Sequence, residues 1–214
     1  MSLPTRSRVS LTLASCALVA TLACGGGSGG GGSSPTSPDT NTASSNTQVN
    51  TTAPVLSVAF VPTSQAAAFW VFGTKLPSGA DNPTFEIETF DQTAPVYAAA
   101  AGVVINITTS SNGVDKTVFI FPAINSIYDI SYDHVMNPTV SVGQTVTAGQ
   151  RIGTVGILNN GRGRTELQIN KSDISPVLAH CPLNWGTSAF NDAFNALAQR
   201  LNGTSACVAP TVRP

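Results

Sequence analysis

The chain has 214 residues, 42% of them hydrophobic and 10% charged, with a net charge of −1. That balance gives no basic footprint for nucleic acid and no polybasic patch for a membrane surface. About 155 to 160 residues remain once the N-terminal segments described next are set aside, enough for one domain with a sizeable core.

Arg6 and Arg8 precede an apolar run from Val9 to Ala23, the pattern of an export signal. The run is too short and too interrupted by Ser and Thr for a transmembrane helix. Thr21-Leu22-Ala23-Cys24, followed by glycines, resembles a bacterial lipobox with Cys24 as the lipidated residue. Leu13-Ala14-Ser15-Cys16 fits by letter but leaves a very short apolar region, and ordinary cleavage near Ala23 is the other possibility. Residues 24–53 are rich in Gly, Ser and Thr and cannot bury a core. The 28 residues 25–52 span about 30 Å as a flexible coil, and the segment reads as a tether. The implied location is outside the cytoplasm, on a membrane held only by the lipid anchor.

From Pro54 onward strands dominate. Predicted strands are 55–60, 67–72, 84–89, 127–134, and a hairpin of 101–107 with 117–121 turning at Asn112-Gly113. Phe69, Trp70, Phe72, Phe119 and Phe121 are assigned to the core. Val140, Val142, Val146 and Ile152 alternate with polar residues, and Gly143 and Gly149 sit where tight turns need positive φ. Residues 164–170 form the last predicted strand. Ser188 is placed as the N-cap of a helix whose stripe is Phe190, Phe194, Leu197 and Leu201, ended by Gly203. With Cys16 and Cys24 assigned to the leader, Cys181 and Cys207 are left as one disulfide, worth about 3 kcal/mol for its loop. His180, beside Cys181, reads as structural. The domains expected are a signal peptide over 1–23, the tether over 24–53, a β domain over 54–180 and a disulfide-pinned helical extension over 181–214.

Tyr132-Asp133-His134, then the run of valines and glycines from Val140 to Gly156, resemble the core of the lysostaphin/LytM-type zinc metallopeptidases. Ala94-Pro95-Val96-Tyr97-Ala98-Ala99 with Gly102-Val103-Val104 resembles the same family's upstream strand pair. The likeness covers residues 82–170. It implies a mainly β fold: a LytM-like antiparallel sheet, the duplicated hybrid motif with a barrel-sandwich, hammerhead-like core, carrying one C-terminal helix. It also implies cleavage of peptidoglycan cross-links by a zinc-bound water. In that family the metal is held by the His and Asp of H-x-x-x-D and by the second His of H-x-H.

Carried over by position, the resemblance gives a depleted site. Asn82 stands for the first ligand histidine and Glu86 for the aspartate. Arg164 stands for the catalytic histidine and Glu166 for the second ligand histidine, so His134 alone keeps the family residue. Zinc prefers imidazole or thiolate, and a guanidinium repels a dication. Residues i and i+2 of a strand share a face, so Arg164 is expected to pair with Glu166 and Glu86. The expectation is an arginine–carboxylate cluster with no metal or other cofactor, and a non-catalytic module that binds peptidoglycan or regulates an envelope hydrolase. One rival is a Ca²⁺ or Mg²⁺ site on Glu86, Glu166 and Asn82. Another is an active peptidase with Glu86 and Glu166 on zinc and His134 as acid/base. A lipoyl-type carrier would need a lysine at the tip near 157–161, where none stands.

Overall fold

The strands follow from period-2 alternation, which leaves one face of each strand apolar. In the computed structural model, which describes residues 48–110, 113–173 and 175–214, eleven strands form one sheet. They are β1 (Ala66–Trp70), β2 (Phe85–Thr89), β3 (Pro95–Tyr97), β4 (Gly102–Thr109), β5 (Lys116–Phe121) and β6 (Tyr128–Met136). Then come β7 (Thr145–Val146), β8 (Arg151–Ile157), β9 (Gly163–Lys171), β10 (Leu178–His180) and β11 (Thr211–Val212). The main order is β1-β2-β9-β8-β6-β5-β4-β7, and every strand pair is antiparallel. The segment expected as a signal peptide, Cys16, Cys24, the expected tether up to residue 47 and Asn112 lie outside the described residues. No helix among the described residues is long and apolar enough to cross a membrane.

One junction shapes the site. The first part of β6 pairs with β9, Asp133 opposite Glu166, while Val135 and Met136 pair with β8. The switch falls on His134, whose φ is +56°. A β strand that changes partners must bend, and a non-glycine residue in the left-handed region carries that bend at a cost of order 1 kcal/mol or more. Gly156 on β8 lies opposite Arg164 on β9 at the same junction.

Two successive turns share one chemistry. Gly143 and Gly149 have φ of +86° and +82°. The Gln144 Oε1 accepts the Ser141 N–H at 3.1 Å, and the Gln150 Oε1 accepts the Thr147 N–H at 3.2 Å. Only β7 and β8 are strands here. The alternation of Val140 and Val142 with polar residues is not a strand: Val140 is buried in a loop and Val142 is exposed.

Residues 55–60 also differ from expectation. They make a single bridge at Leu56, whose N–H goes to the Trp185 carbonyl, while Ser57 and Val58 donate to Ala99. Leu56, Phe60 and Val61 are buried because the segment crosses over the core instead of joining the sheet. Pairing also begins before Pro54: Asn50 bridges Ser126, within the stretch predicted as tether. Among the aromatic residues expected in the core, Phe69 and Phe72 are buried. Trp70 is 37% exposed, and Phe119 and Phe121 are half-buried, because these three lie on the outer face of their strands.

The C-terminal segment is part of the same core. Helix α1 (Ser188–Asn202) is capped by Thr187, whose hydroxyl accepts the Phe190 N–H, one residue earlier than Ser188. Gly203 ends it in the left-handed region, and its buried face is Phe190, Phe194, Leu197 and Ala198. Leu201 is only partly buried. Cys181 and Cys207 form the expected disulfide, tying the turn after β10 to the segment that bridges Phe72. Phe194 of this helix packs on Phe69 of β1 and Phe85 of β2, so the extension over 181–214 lies against the sheet.

Candidate functional site

Strand register brings the site together. Glu86 on β2, Glu166 on β9 and Asp133 on β6 are direct cross-strand neighbours, so their side chains project from one face. Arg164 is on that face two residues before Glu166. Its Nε lies 2.8 Å from Glu86 Oε1, an ion pair lacking hydrogen-bond alignment, and its Nη2 contacts Glu166 Oε1. These three side chains are 14–19% exposed, well withdrawn from water.

His134 extends the chain of opposite charges. Its Nδ1 is 2.9 Å from Asp115 Oδ2, and its Nε2 is 3.4 Å from Glu166 Oε1 and 3.8 Å from Asp133 Oδ2. Asp133 is held in turn by Ser110 Oγ at 2.5 Å, Thr117 Oγ1 at 2.7 Å and the His134 N–H at 2.8 Å, all donating to its Oδ1. The sequence Asp115–His134–Glu166–Arg164–Glu86 thus alternates in sign from end to end when the imidazole is protonated.

The titration shifts follow from that order. Burial and the neighbouring Glu166 charge raise the Glu86 carboxyl above its ordinary value, against the pull of Arg164. Burial also works upward on Glu166, but the His134 hydrogen bond and the Arg164 charge outweigh it, and Glu166 titrates low. Burial opposes the charged form of His134, and so does Arg164. The hydrogen bond to Glu166, with Asp133 and Asp115, overcomes both and holds the imidazole above its usual value. Burial is likewise outweighed at Asp133, by the Ser110 hydrogen bond and then by His134 and Thr117, and it titrates low.

Not every expected residue joins. Asn82 is 1% exposed and its carboxamide is committed to backbone: Nδ2 donates to the Trp70, Val71 and Thr84 carbonyls at 3.1–3.2 Å, and Oδ1 accepts the Thr84 N–H. It anchors the turn before β2 and takes no part in the charge cluster. His180 packs its ring 5.3 Å from Trp185, away from the cluster residues in the register. Asp115 was not foreseen. It arrives from the far end of the β4–β5 hairpin, and nothing near it in sequence marks it. The Asp133 carboxylate was foreseen only as the middle letter of Tyr132-Asp133-His134.

Gly156 makes room for this contact. A Cβ built there would lie 2.6 Å from Asp115 Oδ2 and 3.1 Å from His134 Cβ. Gly156→Ala is therefore expected to push the Asp115 carboxylate off His134 Nδ1 and lower the His134 pKa toward its unperturbed value. An NMR titration of the imidazole checks this, and an unchanged titration would remove Asp115 from the network.

Zinc does not suit the residues at the family positions. Asn82 spends its oxygen on Thr84, and Arg164 puts a fixed cation between Glu86 and Glu166. Donor atoms of Asp115, Asp133 and His134 do lie within 4.8 Å of one another, though these groups are already joined by hydrogen bonds and ion pairs. Beside Asp133 and Glu166 a cleft opens over Thr84, Phe119, Ser131, Gln168 and Asn170.

The sequence model of peptidase family M23 matches residues 85–175. Members of this family are zinc-dependent. No curated protein matches the chain significantly. Among solved structures, lysostaphin from Staphylococcus simulans is similar at 20% identity over 59% of this chain and 52% of its own, with a TM-score of 0.47. Csd3 of Helicobacter pylori is similar at 19% identity over 63% and 34%, with a TM-score of 0.45. A zinc-containing peptidase from Vibrio cholerae is similar at 22% identity over 56% and 36%, with a TM-score of 0.39. The chain thus spans about a third to a half of the length of these proteins. Residues 85–175 thus match the M23 peptidase family model, and the mainly antiparallel sheet with one C-terminal helix is the LytM-like fold that the resemblance implied.

Proposed function

We propose that this domain is a non-catalytic peptidase-like module of the bacterial cell envelope, one that binds peptidoglycan or regulates a partner hydrolase. The observation that carries the reading is the Arg164 guanidinium set between the Glu86 and Glu166 carboxylates. Metal-assisted hydrolysis needs a cation with an open coordination position and a water made acidic by it. A guanidinium supplies the charge and neither of the other two. It offsets part of the carboxylate charge, keeps the face intact and leaves peptide bonds uncut. A lipid anchor on the lipobox-like Cys24, with the Gly/Ser/Thr-rich tether, would hold the module within reach of the wall.

The full chain incubated with purified peptidoglycan should co-sediment with it, or should raise the activity of an added envelope hydrolase, while releasing no soluble muropeptides itself. A second reading draws on the close spacing of Asp115, Asp133 and His134: an active metallopeptidase with an altered metal site. Muropeptide release that stops on chelation would establish that reading and overturn the first.

A further inference from the structure

The face that carries the charge cluster extends beyond it on both sides. Trp70 on β1 is the direct cross-strand neighbour of Glu86, so the row across the sheet runs Trp70, Glu86, Glu166, Asp133. The next row runs Gln168, Ser131, Phe119. Trp70 is 37% exposed, while its neighbour Phe69 points to the opposite face and is buried against Phe85. The strands carrying Trp70 and Phe119 are four inter-strand spacings apart, about 19 Å.

The charges on this face exclude one class of ligand. Its arginines are held, Arg164 by Glu86 and Glu166, and Arg162 by Glu88 at 3.0 Å. Asp133, beside His134, and Asp129, which accepts from Asn170 Nδ2 at 2.9 Å, add two more carboxylates, so acids outnumber cations on this face. An anionic polymer would be repelled. What the face offers is carboxylate, amide and hydroxyl groups between two aromatic flanks. Sugar rings need this combination: apolar C–H faces for an aromatic plane, and hydroxyl and acetamido groups for carboxylates and amides.

We infer that the open face of the sheet, with Trp70 as its stacking platform and Gln168 and Asp133 as hydrogen-bond partners, holds an uncharged N-acetylated glycan strand. This rests on the cell-wall reading above and names the glycan, rather than the peptide, as the part of the polymer the domain grips.

The test is calorimetric titration of the full chain with the β-1,4-linked hexamer of N-acetylglucosamine. The chain has two tryptophans, so fluorescence of a Trp185→Phe variant reports on Trp70 alone. Binding should weaken about tenfold or more in Trp70→Ala, as for a buried aromatic anchor, and stay within about threefold in Trp70→Phe. Gln168→Ala, remote from Trp70, should weaken it as well. Circular dichroism confirms that each variant is folded. No heat with the hexamer, equal binding by Trp70→Ala, or Trp70-dependent binding of a sugar-free stem peptide instead would each overturn the inference. Metal content and muropeptide release are separate readouts: a catalytic result there would end the non-catalytic reading without touching the hexamer titration.

Discussion

Replacing Arg164 with leucine is expected to destabilise the domain by about 3 kcal/mol at neutral pH, because it strands two carboxylates that are mostly withdrawn from water. Glu86 already titrates high through burial and its Glu166 neighbour; without the guanidinium it is pushed further up, and Glu166 rises from its lowered value. A carboxyl whose folded pKa is raised costs stability above its unfolded value, so the deficit shrinks as the pH falls from 7 toward 5. The wild type has the opposite element at His134. Its raised pKa gives stabilisation that is fully present below about 6.5 and lost as the pH rises through the folded value. Calcium or zinc should raise the melting temperature of the leucine variant, where two acids now await a cation, and leave the wild type unmoved. Thermal melts across pH, with and without the ions, check all three outcomes. A variant as stable as the parent would mean that solvent, not Arg164, satisfies the acids.

Phe194→Ala is expected to cost about 4 kcal/mol, among the largest effects in the molecule. Phe194 is fully buried and touches four other rings: Phe190 at 4.6 Å, Phe85 at 5.1 Å, Phe60 at 5.5 Å and Phe69 at 6.0 Å between centroids. It is the point where α1, β1, β2 and the irregular segment around Phe60 meet. Its loss leaves a cavity that rigid strands on two sides cannot close. The melting temperature should fall by about 10 °C for a domain of this size. Phe194→Leu, which keeps most of the volume, should lose less than half as much. If alanine and leucine behave alike, the helix is a peripheral appendage and not part of the core.

The sheet was legible where a strand has one wet face and one dry face. Phe85, Ile87 and Thr89 alternate with Glu86 and Glu88, and β2 is a strand with that burial. The helix stripe Phe190, Phe194, Leu197 was legible for the matching reason at period 3.6. Residues 55–60 have the same composition as a strand, yet they pack across the core, since apolar content alone does not fix whether a segment finds an edge to pair with. Trp70 shows the reverse error: a large aromatic residue was assigned inward although its strand parity puts it outside.

The site was legible in part because its members sit in short motifs. Arg164 and Glu166 are two residues apart on one strand, which requires a shared face, and Glu86 follows from the register of β2 on β9. Asn82 was placed by motif position, and only the folded chain reveals that its amide is consumed by the backbone. Asp115 and Gly156 come from other parts of the chain, and their meeting at His134 depends on the bend of β6 between two partner strands. Single-sequence patterns carry no term for such a three-strand junction.

The most direct test of the account is the metal content of the full wild-type chain, measured by mass spectrometry after incubation with zinc and desalting. With Arg164 standing in for the metal, the stoichiometry should be near zero. A stoichiometry near one, abolished by Glu166→Ala, would show a working metal centre beside the guanidinium and contradict the claim that the arginine has replaced it.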